Sequence, residues 1–259
     1  MIEGSQMPVR FGRYNSRWDS VERLLGTTDL HYHFRTKPLF KFFSQKEHGG
    51  DVRVIEFGCG DGSNLFELKS RLPSMTAVGV DIDSSSINAA RKCATVMGYE
   101  NFNFVCAHTL NATEKDVASF DFVLLMDVLE HLTDARALMD EVSTLLKPNG
   151  TILISVPTHR YPRVFGREFH RKVGHVRDGF NMDELDELLG TSYKRTASRY
   201  STGLLASAAC ACFYRLTPKI PFRKLQILLV AGLHFSRLID IFNGKSLSCS
   251  IWAVYKRQT

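Results

Sequence analysis

Five short apolar runs separated by helical patterns leave this chain little choice of fold. They lie at residues 52–57 (VRVIEF), 76–80 (TAVGV), 102–106 (FNFVC), 120–126 (FDFVLLM) and 151–156 (TILISV). Each has the length and the β-branched or aromatic content of a buried strand. Helical spacing fills the gaps. Leu65, Leu68 and Leu72 share one face of residues 63–72, with Pro73 just beyond. Ile87, Ala90, Ala94 and Met97 do the same in the next gap, which Ser84 is expected to cap and Gly98 to end. Residues 134–146 carry Leu138, Val142 and Leu145, and residues 147–150 (KPNG) read as a turn before the fifth strand. A strand that returns through a helix pairs parallel with its neighbour. The expectation is therefore α/β: a doubly wound, mostly parallel, Rossmann-like sheet.

The flanks are less regular. Residues 1–50 read as a polar leader and an N-terminal helical cap, with residues 18–43 rich in aromatics. Residues 51–200 form the core, in which 181–189 (NMDELDELL) is a helix with Asn181 and Glu184 as a capping pair. Residues 193–200 read as a further strand. Residues 201–247 form a late helical insert, apolar with interleaved Lys219, Arg223, Lys224 and Arg237, and 248–259 bring the final strand. The insert reads as a lid over the acceptor, a membrane-facing surface, a dimer contact or core packing.

Composition narrows the setting. The chain has 259 residues, enough to bury a core without staples. Its six cysteines show no CxxC or Cys/His ligand spacing, so they read as free thiols of a reducing compartment, with Cys210 and Cys212 as small core residues. The net charge of +6 is spread along the chain and selects no partner class. No secretory pattern opens the sequence, and no apolar run reaches the ~18 residues of a spanning helix. A cytoplasmic protein, at most peripheral to a membrane, is expected.

Chemistry concentrates where the first strand ends. Glu56-Phe57-Gly58-Cys59-Gly60-Asp61-Gly62 is a glycine turn between strand and helix, and Asp81 closes the second strand 23 residues after Gly58. Such a turn lets backbone approach a nucleotide, and the acid accepts from ribose hydroxyls. The spacing is GxGxG, whereas dinucleotide folds use GxGxxG. Glu56 would repel a pyrophosphate but suits the cationic amino and sulfonium groups of S-adenosylmethionine.

These segments resemble motifs I and II of class I methyltransferases. Leu129-Glu130-His131 after the fourth strand resembles a signature of the ubiquinone-biosynthesis O-methyltransferases, and the 147–150 turn and 154–157 (ISVP) fit the same group. Residues 34–39 (FRTKPL) are similar to a short motif upstream of the core in that group. The resemblance covers residues 34–157. It implies S-adenosylmethionine as cofactor, with Glu56, Gly58, Gly60 and Gly62 along its methionine part and Asp81 on the ribose. Ile82 would lie against adenine, Met126 and Asp127 beside the cofactor, and Arg35 on its carboxylate. Many relatives place an acid after strand three to meet the adenine amine. Cys106-Ala107-His108 stands there instead, so a backbone carbonyl or His108 would serve.

Methyl transfer to a hydroxyl needs a base, and His131 is the catalytic candidate; the alternative is a structural histidine of its loop. His159, Tyr161 and His175 are candidate acceptor contacts within a basic stretch, residues 159–177, which otherwise reads as a solvated loop. No HExxH or carboxylate cluster of ligand spacing occurs, so no metal is expected, a divalent ion at Asp127 and Glu130 being the alternative. The acceptor would be a small molecule, lipid or glycan. The fourth strand ends in Met126-Asp127-Val128-Leu129, not the NPPY-type sequence used on base amines, which speaks against nucleic acid. A protein methyltransferase and a non-catalytic binding relative stay as alternatives.

Overall fold

The computed structural model describes residues 30–45, 50–108, 117–216 and 244–258, with side chains assigned outside 30–34 and 213–216. In chain order the elements are α1 (Leu30–Ser44), β1 (Arg53–Phe57), α2 (Ser63–Lys69), β2 (Thr76–Asp81), α3 (Ser84–Met97), β3 (Phe102–Cys106) and β4 (Phe120–Met126). A short 3-10 turn (Leu129–His131) leads to α4 (Ala135–Leu145) and β5 (Leu146–Pro157). Then come α5 (Tyr161–Phe165), α6 (Arg167–Lys172), α7 (Met182–Leu189), β6 (Tyr193–Ser201), α8 (Leu204–Leu216) and β7 (Ser250–Arg257).

The strands form one seven-stranded sheet in the order β3-β2-β1-β4-β5-β7-β6. β1 to β5 pair in parallel, and β7 runs antiparallel to both of its neighbours. The chain winds outward from β1 through β2 to β3, then restarts at β4 on the other side of β1. That reversal opens a crevice beyond the carboxyl ends of β1 and β4, where this class of sheet binds ligands.

Alternation along the central strands covers both faces. Ile55, Val123, Leu125 and Ile154 pack with Val142 and Leu145 of α4 and Leu185 of α7. Val54, Leu124 and Leu153 pack on the opposite face with Leu39 and Phe43 of α1, Leu65 and Leu68 of α2, and Ile87 of α3. All of these are 0–2% exposed, as a parallel sheet sandwiched between helices requires.

The structure corrects four local expectations. Asp83 caps α3 by accepting from the Ser85 amide, and Ser84 is the first helical residue. Residues 147–150 lie within β5: Phe120 pairs with Leu146 and Phe122 with Thr151, so the turn is a bulge inside the strand, with Asn149 at φ 62°. Cys212 is exposed, whereas Cys210 is buried as expected. The basic stretch folds into α5 and α6, and Arg177 lies over the Phe180 ring, 3.9 Å from its centroid.

The late insert is described only at its beginning. There α8 buries Ala206, Ser207, Cys210 and Ala211 and packs against α5 and α1. The apolar stretch 225–243 lies outside the described residues, and with it the bulk of the lid, membrane and dimer alternatives. Among the described residues, no helix is long and apolar enough to cross a membrane.

Candidate functional site

Two corners meet at the reversal of strand order. The first is the turn after β1. Gly58 sits at φ 66°, and a Cβ there would stand 2.5 Å from Val128 Cγ2, so only glycine lets the β4 loop lie against this turn. The turn is closed by Cys59 N donating to Val80 O (3.1 Å) and Gly62 N to Cys59 O (2.9 Å). Asp81, at the end of β2, accepts from Gly60 N (2.7 Å) and Asp83 N (2.8 Å), one bond to each carboxylate oxygen. A carboxylate has about four acceptor sites, so both oxygens keep capacity for hydroxyl donors. Ile82 beside it is 66% exposed.

Glu56 is fully buried at the end of β1. Asn64 of α2 donates to its Oε1 (2.6 Å), and Oε2 finds no hydrogen-bond donor among the described residues. Burial pushes this carboxyl up to about 8, helped by the neighbouring charges of Asp61 and Asp81 and opposed by the Asn64 bond. Leaving a buried carboxylate oxygen unmatched is costly unless it takes up a proton or meets a donor.

The second corner follows β4. Asp127 adopts φ 59°, its amide donates to Ser155 O (2.8 Å), and its Oδ2 pairs with Arg35 Nη1 (2.7 Å). Arg35 thus reaches the crevice from α1, but it pairs with Asp127 where the sequence reading reserved it for a cofactor carboxylate. Glu130 is fully buried, and neither carboxylate oxygen has a hydrogen-bond partner among the described residues. Burial and the nearby Asp127 charge raise its carboxyl well above the ordinary range.

Histidines surround Glu130. His175 Nε2 is 3.9 Å from its Oε1, and the backbone is tied by Val176 N donating to Glu130 O (2.9 Å). The exposed His131 places Nδ1 3.1 Å from Gly174 O, and its ring stands edge-on to His175 with centroids 4.7 Å apart. His175 Nδ1 meets His170 Nδ1 at 3.0 Å, and His170 Nε2 lies 3.5 Å from Asp178 Oδ1. Tyr161 is buried 5.2 Å from the His175 ring and stacked on Phe165. Burial holds the Tyr161 hydroxyl up at about 12, and burial with the neighbouring His131 and His170 holds His175 down to about 3. Both are neutral near pH 7.

The remaining candidates fall in different places. Met126 is buried at the end of β4. His108 is exposed in the loop after β3, which Ala107 N ties to Asp81 O (2.9 Å). His159 is drawn to Glu184 (2.8 Å) and joins the amino end of α7, while Tyr161 and His175 share the Glu130 corner. Sequence reasoning grouped His170 with His159 and His175 but passed over Asn64 and the burial of Glu130. Glu130 had a visible signal, since it stands inside the quoted Leu129-Glu130-His131 signature.

Comparison with known proteins agrees with the fold. The chain is 30% identical over 103 residues to a ubiquinone biosynthesis O-methyltransferase of Neisseria meningitidis serogroup C, covering 40% of this chain and 43% of that protein. The chain therefore matches under half the length of that curated relative. Its fold resembles a coclaurine N-methyltransferase solved with N-methylheliamine and SAH: TM-score 0.57, 13% identity, 85% of this chain and 72% of that one. It also resembles the [4+2]-cyclase SpnF, with TM-score 0.59, 14% identity, and 86% and 81% coverage. A model of the methyltransferase domain matches residues 48–199. That span is more than half of the 259 residues, and the chain belongs to the methyltransferase-domain family.

Proposed function

We propose that the protein is an S-adenosylmethionine-dependent methyltransferase acting on a hydroxyl of a small molecule. The observation that carries the reading is the buried, half-satisfied Glu56 beside a glycine turn held by Asp81. Bound S-adenosylmethionine supplies an electrophilic methyl group on a sulfonium sulfur. Glu56 would hold the ammonium of its methionine part, the charge interaction offsetting the burial of the carboxylate. Gly58, Gly60 and Gly62 bring backbone close to that part, and Asp81 accepts from the ribose hydroxyls. Ile82 offers its exposed side chain to the adenine, with His108 at the adenine end.

Met126 and Asp127 lie beside the cofactor, and Arg35 holds Asp127 in place. Across the crevice, Tyr161, His131 and His175 orient the hydroxyl and handle its proton. The chain's main task is alignment and exclusion of water. The apolar and basic composition of residues 201–247 supports a hydrophobic or lipid-linked acceptor met at a membrane surface.

The test is calorimetric titration with S-adenosylhomocysteine, with NAD as control, followed by turnover on a panel of hydroxylated lipids and glycans. Saturable binding of S-adenosylhomocysteine alone and methyl transfer to an oxygen support the reading. Binding of neither ligand, or of NAD, overturns it.

A further inference from the structure

We propose that the carboxyl ends of β5 and β6 and the start of β7 form a binding site for a neutral polyhydroxylated ring, a sugar or cyclitol, carried by the acceptor. The part this ring plays in catalysis rests on the methyl transfer proposed above; its binding does not.

Strand pairing brings the site together. Ser201, the last residue of β6, stands opposite Ser250, the first of β7, and Trp252 stands opposite Ser155 of β5. Residues opposed in antiparallel strands share a face, and so do residues two apart along a strand. Ser155, Ser201, Ser250 and Trp252 therefore lie on one face. It is the face that α1 covers, since the Trp252 ring lies 6.1 Å from that of Phe42. Pairing continues past the strand ends: Cys249 N donates to Thr202 O (2.9 Å), and Thr158 N to Cys249 O (2.8 Å). Thr202 and Ser248 are thereby drawn alongside. Ser155 O accepts from Asp127 N (2.8 Å), so the cluster adjoins the corner after β4.

The observation that points to a ligand is a set of unpaired polar groups. The hydroxyls of Ser201, Thr202, Ser248 and Ser250 and the indole N–H of Trp252 are buried with no hydrogen-bond partner. Thr202, Ser248 and Ser250 are 0% exposed, Ser201 3% and Trp252 6%. Buried polar groups are nearly always paired, so orphans gathered at one end of a sheet need a partner from outside the chain. Neighbouring hydroxyls behave in the ordinary way: Thr158 Oγ1 donates to Ser248 O and Ser207 Oγ to Thr202 O, each at 2.8 Å. Backbone strain falls in the same place. Thr202 is β-branched yet sits at φ 54°, a left-handed conformation that costs such a side chain and that collects at ligand sites.

The donor and acceptor inventory selects the ligand. Each hydroxyl can donate once and accept twice, whereas the indole only donates. A partner that satisfies the whole set must both accept and donate, as the hydroxyls of a sugar or cyclitol do. An alkyl chain does neither. Phosphate only accepts and would leave the lone pairs of the hydroxyls unmatched. A ring held here stands next to Asp127, on the side of the crevice where Tyr161 and His175 are proposed to orient the accepting hydroxyl.

The test is calorimetric titration of the full-length protein, with and without S-adenosylhomocysteine, using glucose, galactose, rhamnose and myo-inositol, with 1-hexanol and inorganic phosphate as controls. Saturable binding of at least one polyol, tighter than either control, is expected. Each of Ser201→Ala, Ser250→Ala and Thr202→Val should weaken it about 2- to 10-fold. Ser198→Ala, on an exposed serine of β6, should bind as the native chain does. Melting of the ligand-free variants gives a second readout. A hydroxyl without a partner adds nothing to the folded state, so the three site variants should melt at or above the native temperature. Lower melting in all three means that these hydroxyls bond within the folded chain, and it overturns the site. So does absence of polyol binding, equal affinity in native and site variants, or a preference for phosphate; S-adenosylhomocysteine binding in the same protein then spares the methyltransferase reading. Polyol binding without S-adenosylhomocysteine binding does the reverse.

Discussion

At the scale of single residues, Glu56 couples the cofactor corner to pH. Its carboxyl titrates near 4.5 in an unfolded chain and is held up to about 8 in the folded one, chiefly by burial. Between those values the folded state keeps a proton that the unfolded state has lost. Its stabilising contribution is therefore complete below pH 4.5 and disappears as pH rises through 8. Glu56→Gln removes that dependence. The ligand-free variant should lose less stability than the native chain between pH 5 and pH 8.5; parallel melting curves against pH would refute the assignment. The same variant should bind S-adenosylhomocysteine weakly, because an amide cannot balance the ammonium charge. Asp81→Ala tests the neighbouring acceptor. It removes the anchor of Gly60 N and the bonds to ribose, so affinity should fall by about 1–3 kcal/mol, roughly 5- to 150-fold. Unchanged affinity would remove Asp81 from the binding site.

At the scale of elements, caps show how local chemistry sets boundaries. Asn181 accepts from Glu184 N (2.9 Å), and Glu184 returns the bond to Asn181 N (2.7 Å), closing a capping box on α7. Glu184 also holds His159, so Asn181→Ala should cost about 0.5–2 kcal/mol, measured by denaturant unfolding, and loosen the loop before α5. No loss of stability would mean that Glu184 alone holds the helix end. This cap could be read in the sequence because its partners lie three residues apart. The strands and the glycine turn were legible for the same reason: apolar runs and a positive-φ position are local properties. The bulge at 147–150 was not, since it depends on how Phe120 and Phe122 register against β5. Nor was the Glu130 corner. His131 and His175 are 44 residues apart, and no short spacing announces their meeting. The partner of Arg35 was invisible too, because Asp127, with which it pairs, stands far along the chain and meets it only in the fold.

At the scale of the whole molecule, the crevice is assembled from segments that only the sheet brings together: α1, the turn after β1, the ends of β2 and β4, and the loops after β5. Glu56 lies beside Gly79 of β2 and Leu124 of β4, so the central strand that carries this buried carboxyl is also the centre of both apolar cores. A ligand seated there binds the folded chain and not the unfolded one, and its binding energy adds to global stability. At one hundred times its dissociation constant the gain is about 2.7 kcal/mol. For a domain of this size that corresponds to roughly 5–10 °C in melting temperature. S-adenosylhomocysteine should therefore raise the melting temperature of the native chain by that amount, and far less in Glu56→Gln or Asp81→Ala at the same concentration. The comparison separates two ways the assembly could behave. A shift in the native chain that both variants lose means that the corner melts with the sheet as one cooperative unit. Calorimetric binding without a shift would mean that the turn and its loops open before the core does, and that the site is held together locally and not by the fold.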